Sequence, residues 1–79
     1  MQTAARKSPY ADSIRETLAK QGSIGRYDPR HIEAYMRLEH STLDGLAAWQ
    51  FDQEVATAAA CIDAGGTNEA EALAESYGF

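Results

Sequence analysis

Residues 47–66, AAWQFDQEVATAAACIDAGG, decide the fold class of this chain. Apolar residues recur within this stretch at i, i+4, i+7 and i+11, which is the spacing of one face of an α-helix. These residues are Phe51, Val55, Ala58 and Ile62. The alanines among them favour helix formation and allow a neighbouring helix to approach closely. The stretch therefore predicts a helix over 47–64, which Gly65-Gly66 ends.

Two start signals upstream predict two more helices. Ser8-Pro9 and Asp28-Pro29 each place a capping side chain before a proline, whose missing N–H costs nothing at the first helical position. An apolar stripe at helical spacing follows each signal. The stripes are Tyr10, Ile14 and Leu18, and then Ile32, Tyr35 and Met36. Gly22 is placed to end the first of these helices in the left-handed conformation.

A fourth helix is expected near the end of the sequence. Thr67 or Asn68 would cap this helix, and Gly78 would end it. No stretch alternates like a β-strand. We therefore expect an all-α, small single-domain helical bundle over residues 8–79, with three main helices plus a short C-terminal helix, after a flexible basic lead at residues 1–7. The expected core is Tyr10, Ile14, Leu18, Ile32, Tyr35, Met36, Leu43, Leu46, Phe51, Val55, Ile62, Leu73 and Tyr77.

The charges are distributed unevenly along the chain. Twelve acidic and seven basic residues give a net charge of −5. All seven basic residues lie within the first 37 positions, together with four acidic ones, whereas the remainder has eight acidic residues and no Lys or Arg. Such polarity is informative about partners, because an acidic surface attracts a basic one.

Length and cysteine content exclude several classes of protein. The 79 residues suffice for one domain of modest stability. Cys61 stands alone, so the chain forms no internal disulfide, and a reducing cytoplasm is the expected location. Arg6 and Lys7 are not followed by an apolar block, so we expect no signal peptide, and no stretch is apolar enough to span a membrane.

The residue types that usually perform catalysis or bind metal lack the necessary pattern. His31 and His40 are nine apart, which places them on opposite sides of a helix, so we expect surface histidines and no metal site. Cys61 lies near the end of its helix beside Asp63, which disfavours a thiolate and predicts a buried or half-buried structural residue. We therefore expect no enzymatic activity, no cofactor and no small-molecule substrate.

A helix-turn-helix DNA-binding function is an alternative that the fold class permits. Its candidate nucleic-acid-binding residues are Arg26, Arg30 and Arg37, the last two seven apart on one face of the second helix. The acidic part of the chain would be repelled by phosphate, so nucleic-acid binding remains an alternative to the main hypothesis.

Trp49 is out of register with the apolar face of its helix, because it precedes Phe51 by two residues. Two interpretations remain open: an edge-of-core residue, or an exposed anchor of a protein interface. Tyr27 and Phe79 are secondary candidates of the second kind. Glu71 and Glu75 lie four apart on one helical face, which is typical of a solvated surface rather than of a catalytic carboxylate pair.

The stretch YDPRHIEAYMRLEHSTLDGLAAWQFDQEV at residues 27–55, with ALAESYG at residues 72–78, resembles small uncharacterised helical proteins of bacterial phages and mobile genetic elements. The resemblance covers two thirds of the chain and includes no catalytic motif. It implies a context in which small proteins bind and block host machinery, including CRISPR and restriction complexes.

These observations predict a small acidic protein-binding module, in this context a phage or mobile-element inhibitor of a host nucleic-acid-handling defence complex. Its partner would be a host protein or protein complex with a basic surface. The predicted partner-binding residues are Asp44, Trp49, Asp52, Glu54, Glu69, Glu71 and Glu75. The alternatives are a self-associating structural module, in which the alanine-rich helix packs against its copy in a homodimer, and the nucleic-acid-binding regulator above.

Overall fold

The computed structural model describes residues 8–79, which form four α-helices and no β-strand. The helices are α1 (Ala11–Lys20), α2 (Pro29–Arg37), α3 (Ala48–Gly65) and α4 (Thr67–Ser76). The predicted all-α fold is confirmed. Helix α4 has ten residues, as many as α1, so length does not set the last helix apart from the first two.

Helices α2 and α3 each pack against the other three helices, whereas α1 and α4 contact only these two. Of the two, α2 is the more deeply buried, because it has buried residues on most of its circumference. Those residues are His31, Ile32, Glu33, Ala34 and Met36.

The start of α2 follows the local sequence signal. The Asp28 side chain accepts a hydrogen bond of 2.9 Å from the backbone N–H of Arg30, and Pro29 is the first helical residue. The carboxylate thereby satisfies an N–H group that has no partner within the helix, and its charge suits the positive end of the helix dipole.

The expectation that Ser8 caps α1 is wrong. The helix begins at Ala11 after a turn, and no side chain caps its first N–H groups. Ser8 is buried, and its hydroxyl donates to the carboxylate of Glu33 on α2. A fully buried carboxylate needs hydrogen-bond donors, and this need outweighs the local capping preference.

Two glycines end helices as the sequence predicts. After α1, Gly22 has a φ of 76°, its N–H donates to the carbonyl of Ala19, and the N–H of Ser23 reaches the carbonyl of Leu18. The same pair of bonds follows α4, where Gly78 has a φ of 81°. Both ends are Schellman motifs, which need a left-handed residue that glycine adopts without a steric cost.

Gly66 separates α3 from α4 and is the residue flanking both helices. Its φ of 91° turns the chain between them. The predicted caps at Thr67 and Asn68 are therefore wrong, because no side chain caps α4 and Thr67 is already its first residue.

The core lies where α2 faces the other helices. Its buried members include seven of the predicted residues: Ile14, Leu18, Ile32, Met36, Leu43, Val55 and Ile62. The other predicted members are half-buried and pack against the core clusters: Tyr10, Tyr35, Leu46, Phe51, Leu73 and Tyr77. Phe79, expected as an exposed contact residue, is instead 5% exposed and packs with Ala34 and Ala74 in a second small cluster.

Candidate functional site

Trp49 lies in the first turn of α3 and is 68% exposed. The structure thus selects the exposed interpretation over the edge-of-core one. The inward face of α3 begins with Phe51 and Val55, and the helical register directs Trp49 away from it. An exposed indole is a large apolar surface with one N–H donor, which is a common anchor of protein interfaces.

Three of the predicted partner-binding carboxylates interact with their own chain. Asp52 accepts from Lys20 Nζ at 3.2 Å and from Thr17 Oγ1 at 3.3 Å, which ties α3 to α1. Asp44 accepts from the Tyr10 hydroxyl. Glu54 Oε2 lies 3.5 Å from His40 Nε2. Of these contacts, the one between Asp52 and Lys20 is an ion pair between two charged side chains, so Asp52 offers less negative charge to a partner.

The other three predicted carboxylates lie on α4 and are exposed: Glu69, Glu71 and Glu75. We call them the α4 carboxylates. None of them has a cation within 4 Å among residues 8–79. They are the part of the predicted acidic surface that remains open to a partner.

The α4 carboxylates affect groups on the neighbouring α2. Hydrogen bonding to Asp28 raises the pKa of the Arg30 guanidinium, and the charges of Glu71 and Glu75 raise that pKa further. Desolvation raises the pKa of the Tyr35 hydroxyl, and the charge of Glu69 adds to this effect. The α4 carboxylates therefore create a negative field along one side of α2.

Most of the cations in the described part of the chain are engaged by acidic partners. Arg30 makes three side-chain hydrogen bonds to Asp28, and this pairing is the main reason that the pKa of the Asp28 carboxyl is lowered. Lys20 pairs with Asp52, and Arg15 pairs with Asp12. Arg30, one of the three arginines proposed for nucleic-acid binding, is thus already paired with a carboxylate of its own chain.

Arg37 is occupied as well. Its Nε and Nη2 donate to Glu33 Oε2 at 3.2 and 3.0 Å, and its Nη1 donates to the carbonyl of Ser41 at 2.7 Å. The guanidinium also lies 5.8 Å from the ring centre of Tyr10 and 6.0 Å from that of Phe79. Of the three nucleic-acid candidates, Arg26 alone has no ion pair within residues 8–79, and it lies 5.4 Å from the Tyr27 ring centre.

Glu33 is a charged residue whose burial the sequence analysis does not predict. Its side chain is 0% exposed. The Ser8 hydroxyl and the Tyr10 backbone N–H, the latter at 3.2 Å, donate to one carboxylate oxygen, while Arg37 donates to the other. The spacing of Glu33 and Arg37, four residues apart on a helix, was the available signal. The role of this cluster is structural, since it joins the residues before α1 to α2.

The histidine and cysteine predictions need correction. His31 is 5% exposed rather than on the surface, since α2 is surrounded by helices, and its Nε2 has no hydrogen-bond partner in the described part of the chain. His40 is half-buried. Cys61 is exposed rather than buried, because Ala58 and Ile62 occupy the inward register of α3.

One cluster of possible metal ligands was also missed. Glu39, His40 and Glu54 bring one ligand atom each to within 4.8 Å of one another. The sequence placed Glu39 beside His40, but the approach of Glu54 depends on how α3 packs after the turn that follows α2.

Comparison with protein-family models, curated proteins and solved structures finds no match. Within residues 8–79, no helix combines the length and the apolar character that a bilayer crossing requires. The arrangement of side chains is therefore what bears on function: an exposed tryptophan, free carboxylates on α4, and cations that are mostly neutralised inside the fold.

Proposed function

We propose that this protein is a protein-binding module that recognises a basic surface. The observation that carries the proposal is an imbalance of pairing. Residues 8–79 contain twelve acidic and five basic residues, and four of those five basic residues form ion pairs within the chain. Seven carboxylates have no ion pair there, so the surface is left with excess negative charge.

The α4 carboxylates are the proposed centre of this surface. Helices α3 and α4 contain no Lys or Arg, and Arg30 of α2, on which the charges of Glu71 and Glu75 act, is already paired with Asp28. Carboxylates spaced along a helix imitate the phosphates of a nucleic acid, and complementary charge accelerates encounter with a basic protein. Asp44, Asp52 and Glu54 contribute less, because each has a partner within its own chain.

Trp49 is the proposed anchor. The rise of α3 places Trp49 about 24 Å along the helix axis from Gly65, after which α4 begins. An interface of standard size, about 800 Å² per partner, is about 28 Å across, which is wide enough to span this distance. The tryptophan would supply affinity through desolvation, and the α4 carboxylates would supply steering and salt dependence.

The partner that fits this chemistry is a protein or complex built to hold nucleic acid. On the basis of the resemblance expected for residues 27–55 and 72–78, we extend the proposal to a host defence complex in the cytoplasm as the target. In this proposal the module inhibits that complex by occupying the basic surface in place of nucleic acid.

The test is capture of partners from a bacterial lysate with the tagged protein, followed by elution with increasing salt. We expect a stoichiometric partner that wild-type protein retains at low salt and releases at high salt. The double variant Glu71→Lys/Glu75→Lys should lose this partner. Glu16→Lys is the matched control, because Glu16 is an exposed carboxylate of α1 without an ion pair in the described part of the chain.

A second pair of variants separates the anchor from general apolar exposure. Trp49→Ala should weaken the captured complex at least about tenfold, as expected for an interface hot spot. Ile24→Ala is the control, since Ile24 is 74% exposed and lies in the loop between α1 and α2. Equal effects of the two variants would remove Trp49 from the proposal.

Self-association is a second candidate, favoured by one observation on α3. Ala56, Ala60 and Ala64 are exposed at i, i+4 and i+8, which leaves a row of small side chains where a second copy of the helix could pack closely. Sedimentation at low and high salt tests this candidate, and a monomer under both conditions would exclude it. Nucleic-acid binding now depends mainly on Arg26 and is tested by a mobility shift with duplex DNA.

A further inference from the structure

We infer that Glu39, His40 and Glu54 form a binding site for a divalent transition-metal ion of the zinc type. Glu39 and His40 follow the end of α2, and Glu54 lies in the second turn of α3. Each residue offers one ligand atom, and the three atoms lie within 4.8 Å of one another. Side chains from two separate parts of the chain therefore converge on one point.

One of the three ligand pairs already has the spacing of a tetrahedral ion. Zinc binds histidine nitrogen and carboxylate oxygen at about 2.0–2.1 Å, so two ligands of a tetrahedron are about 3.3 Å apart. His40 Nε2 lies 3.5 Å from Glu54 Oε2, which is close to this edge length. Rotation of the exposed Glu39 side chain, whose ligand atom lies within 4.8 Å of the other two, would complete a three-residue set, and water would take the fourth position.

The state of His40 Nε2 is an independent observation. This atom is buried, and its 3.5 Å contact with Glu54 Oε2 does not have hydrogen-bond geometry, so it makes no hydrogen bond among residues 8–79. Buried polar atoms in folded proteins nearly always have a partner, so this one needs an explanation. A metal ion would accept the lone pair of Nε2 and would neutralise the two carboxylates beside it.

The ligand types select the class of ion. Imidazole nitrogen with carboxylate oxygen suits zinc and its neighbours in the first transition series. Magnesium and calcium prefer sets made of oxygen atoms alone, so the histidine disfavours them. The site therefore fits a zinc-type ion better than the divalent ions that acidic surfaces usually attract.

Binding would fix the connection between α2 and α3. Residues 38–47 join the two helices, and the ion would tie the start of this segment to the side of α3. A ligand that binds the folded state alone raises the melting temperature by mass action. For a domain of this size, zinc at 100 times its dissociation constant should raise the melting temperature by roughly 10–20 °C.

The test is calorimetric titration of the tag-free full chain with zinc, carried out in a Cys61→Ser background. Cys61 is exposed and would otherwise bind zinc on its own. We expect one ion per chain and no comparable binding of magnesium. Loss of an outer-sphere contact already weakens a metal site 10- to 100-fold, so His40→Gln should weaken zinc binding at least about 100-fold.

Two further variants keep the proposal falsifiable if His40→Gln does not fold. Glu39→Gln removes an exposed ligand, is expected to fold normally, and should reduce both the affinity and the zinc-dependent rise in melting temperature. Glu16→Gln is the matched control, an exposed carboxylate of α1 outside the cluster. Absence of saturable zinc binding would overturn the inference, as would binding that is equally strong in Glu39→Gln and Glu16→Gln.

Discussion

The two halves of this small bundle use their charges in opposite ways. Where α1 meets α2, Glu33 pairs with Arg37 inside the fold, and the Glu33 carboxylate also accepts from the Ser8 hydroxyl and the Tyr10 N–H. Where α4 meets α2, the contact is made by alanines and an aromatic ring, and the carboxylates of α4 remain at the surface. The first half thus uses charge for architecture, whereas the second leaves its charge exposed at the surface.

Removal of the buried Glu33 carboxylate is expected to have the largest effect on the stability of the fold. Glu33→Ala leaves Arg37, Ser8 and the Tyr10 N–H without their acceptor, and breaking such a buried pair costs about 3–5 kcal/mol. Urea denaturation at neutral pH measures this loss. The double variant Glu33→Met/Arg37→Met should recover much of it, because neither charge then remains buried.

Glu71→Gln is the matched control in the other half. Its carboxylate is exposed, so we expect its free energy of unfolding to stay within about 0.5 kcal/mol of the wild-type value. If Glu33→Ala and Glu71→Gln were equally stable, the buried cluster would have no architectural role.

A second prediction probes the close packing between α2 and α4. Ala74 is 2% exposed and lies against Ala34, so Ala74→Leu overfills this contact and should destabilise the fold by about 1–3 kcal/mol. Ala56→Leu introduces the same side chain on the exposed face of α3 and should be near neutral. Thermal unfolding of both variants gives the comparison, and equal melting temperatures would show that α4 packs loosely.

The smallest expected effect concerns pH. Pairing with Arg30 lowers the pKa of Asp28, so its charged form stabilises the fold above the pKa of the unfolded state. That stabilisation is lost as the pH falls below the unfolded value near 3.9 and then through the lower folded pKa. Because Asp28 is partly exposed, the contribution is below about 1 kcal/mol.

Asp28→Asn isolates this contribution, since the amide oxygen still caps α2 but does not titrate in this range. Between pH 5 and pH 2 the wild-type protein should lose more stability than Asp28→Asn. Asp12→Asn is the control, because the Asp12 side chain is 97% exposed. Parallel pH profiles for wild type and Asp28→Asn would exclude the effect.

Features that depend on local chemistry could be predicted from the sequence. Asp28-Pro29 starts α2, and Gly22 and Gly78 end their helices, because each signal acts through residues within a few positions. Ser8 has the same kind of local signal, but the prediction that it caps α1 is wrong. Its hydroxyl bonds instead to Glu33, which is 25 residues away and cannot be paired with it from local sequence. A capping preference is worth about 1 kcal/mol, which is less than the need of a buried carboxylate for donors.

In the candidate site, too, features set by local sequence could be predicted, whereas features set by tertiary contacts could not. The helical register predicts which positions of α3 face inward. It does not decide whether Trp49 lies at the edge of the core or in solvent, because that depends on how the other helices pack. In the structure Trp49 is exposed. The sequence identified the acidic residues, but their availability depends on tertiary partners such as Lys20 for Asp52. The approach of Glu54 to His40 also depends on the path of the chain between α2 and α3.

The central claim is that the α4 carboxylates are kept free in order to bind a basic partner. The most direct measurement is the salt dependence of the affinity between the captured partner and wild type, Glu71→Lys/Glu75→Lys and Glu16→Lys. The affinity of wild type and of Glu16→Lys for the partner should fall steeply with salt, and Glu71→Lys/Glu75→Lys should bind the partner only weakly. Equal, salt-independent affinity for all three proteins would contradict it.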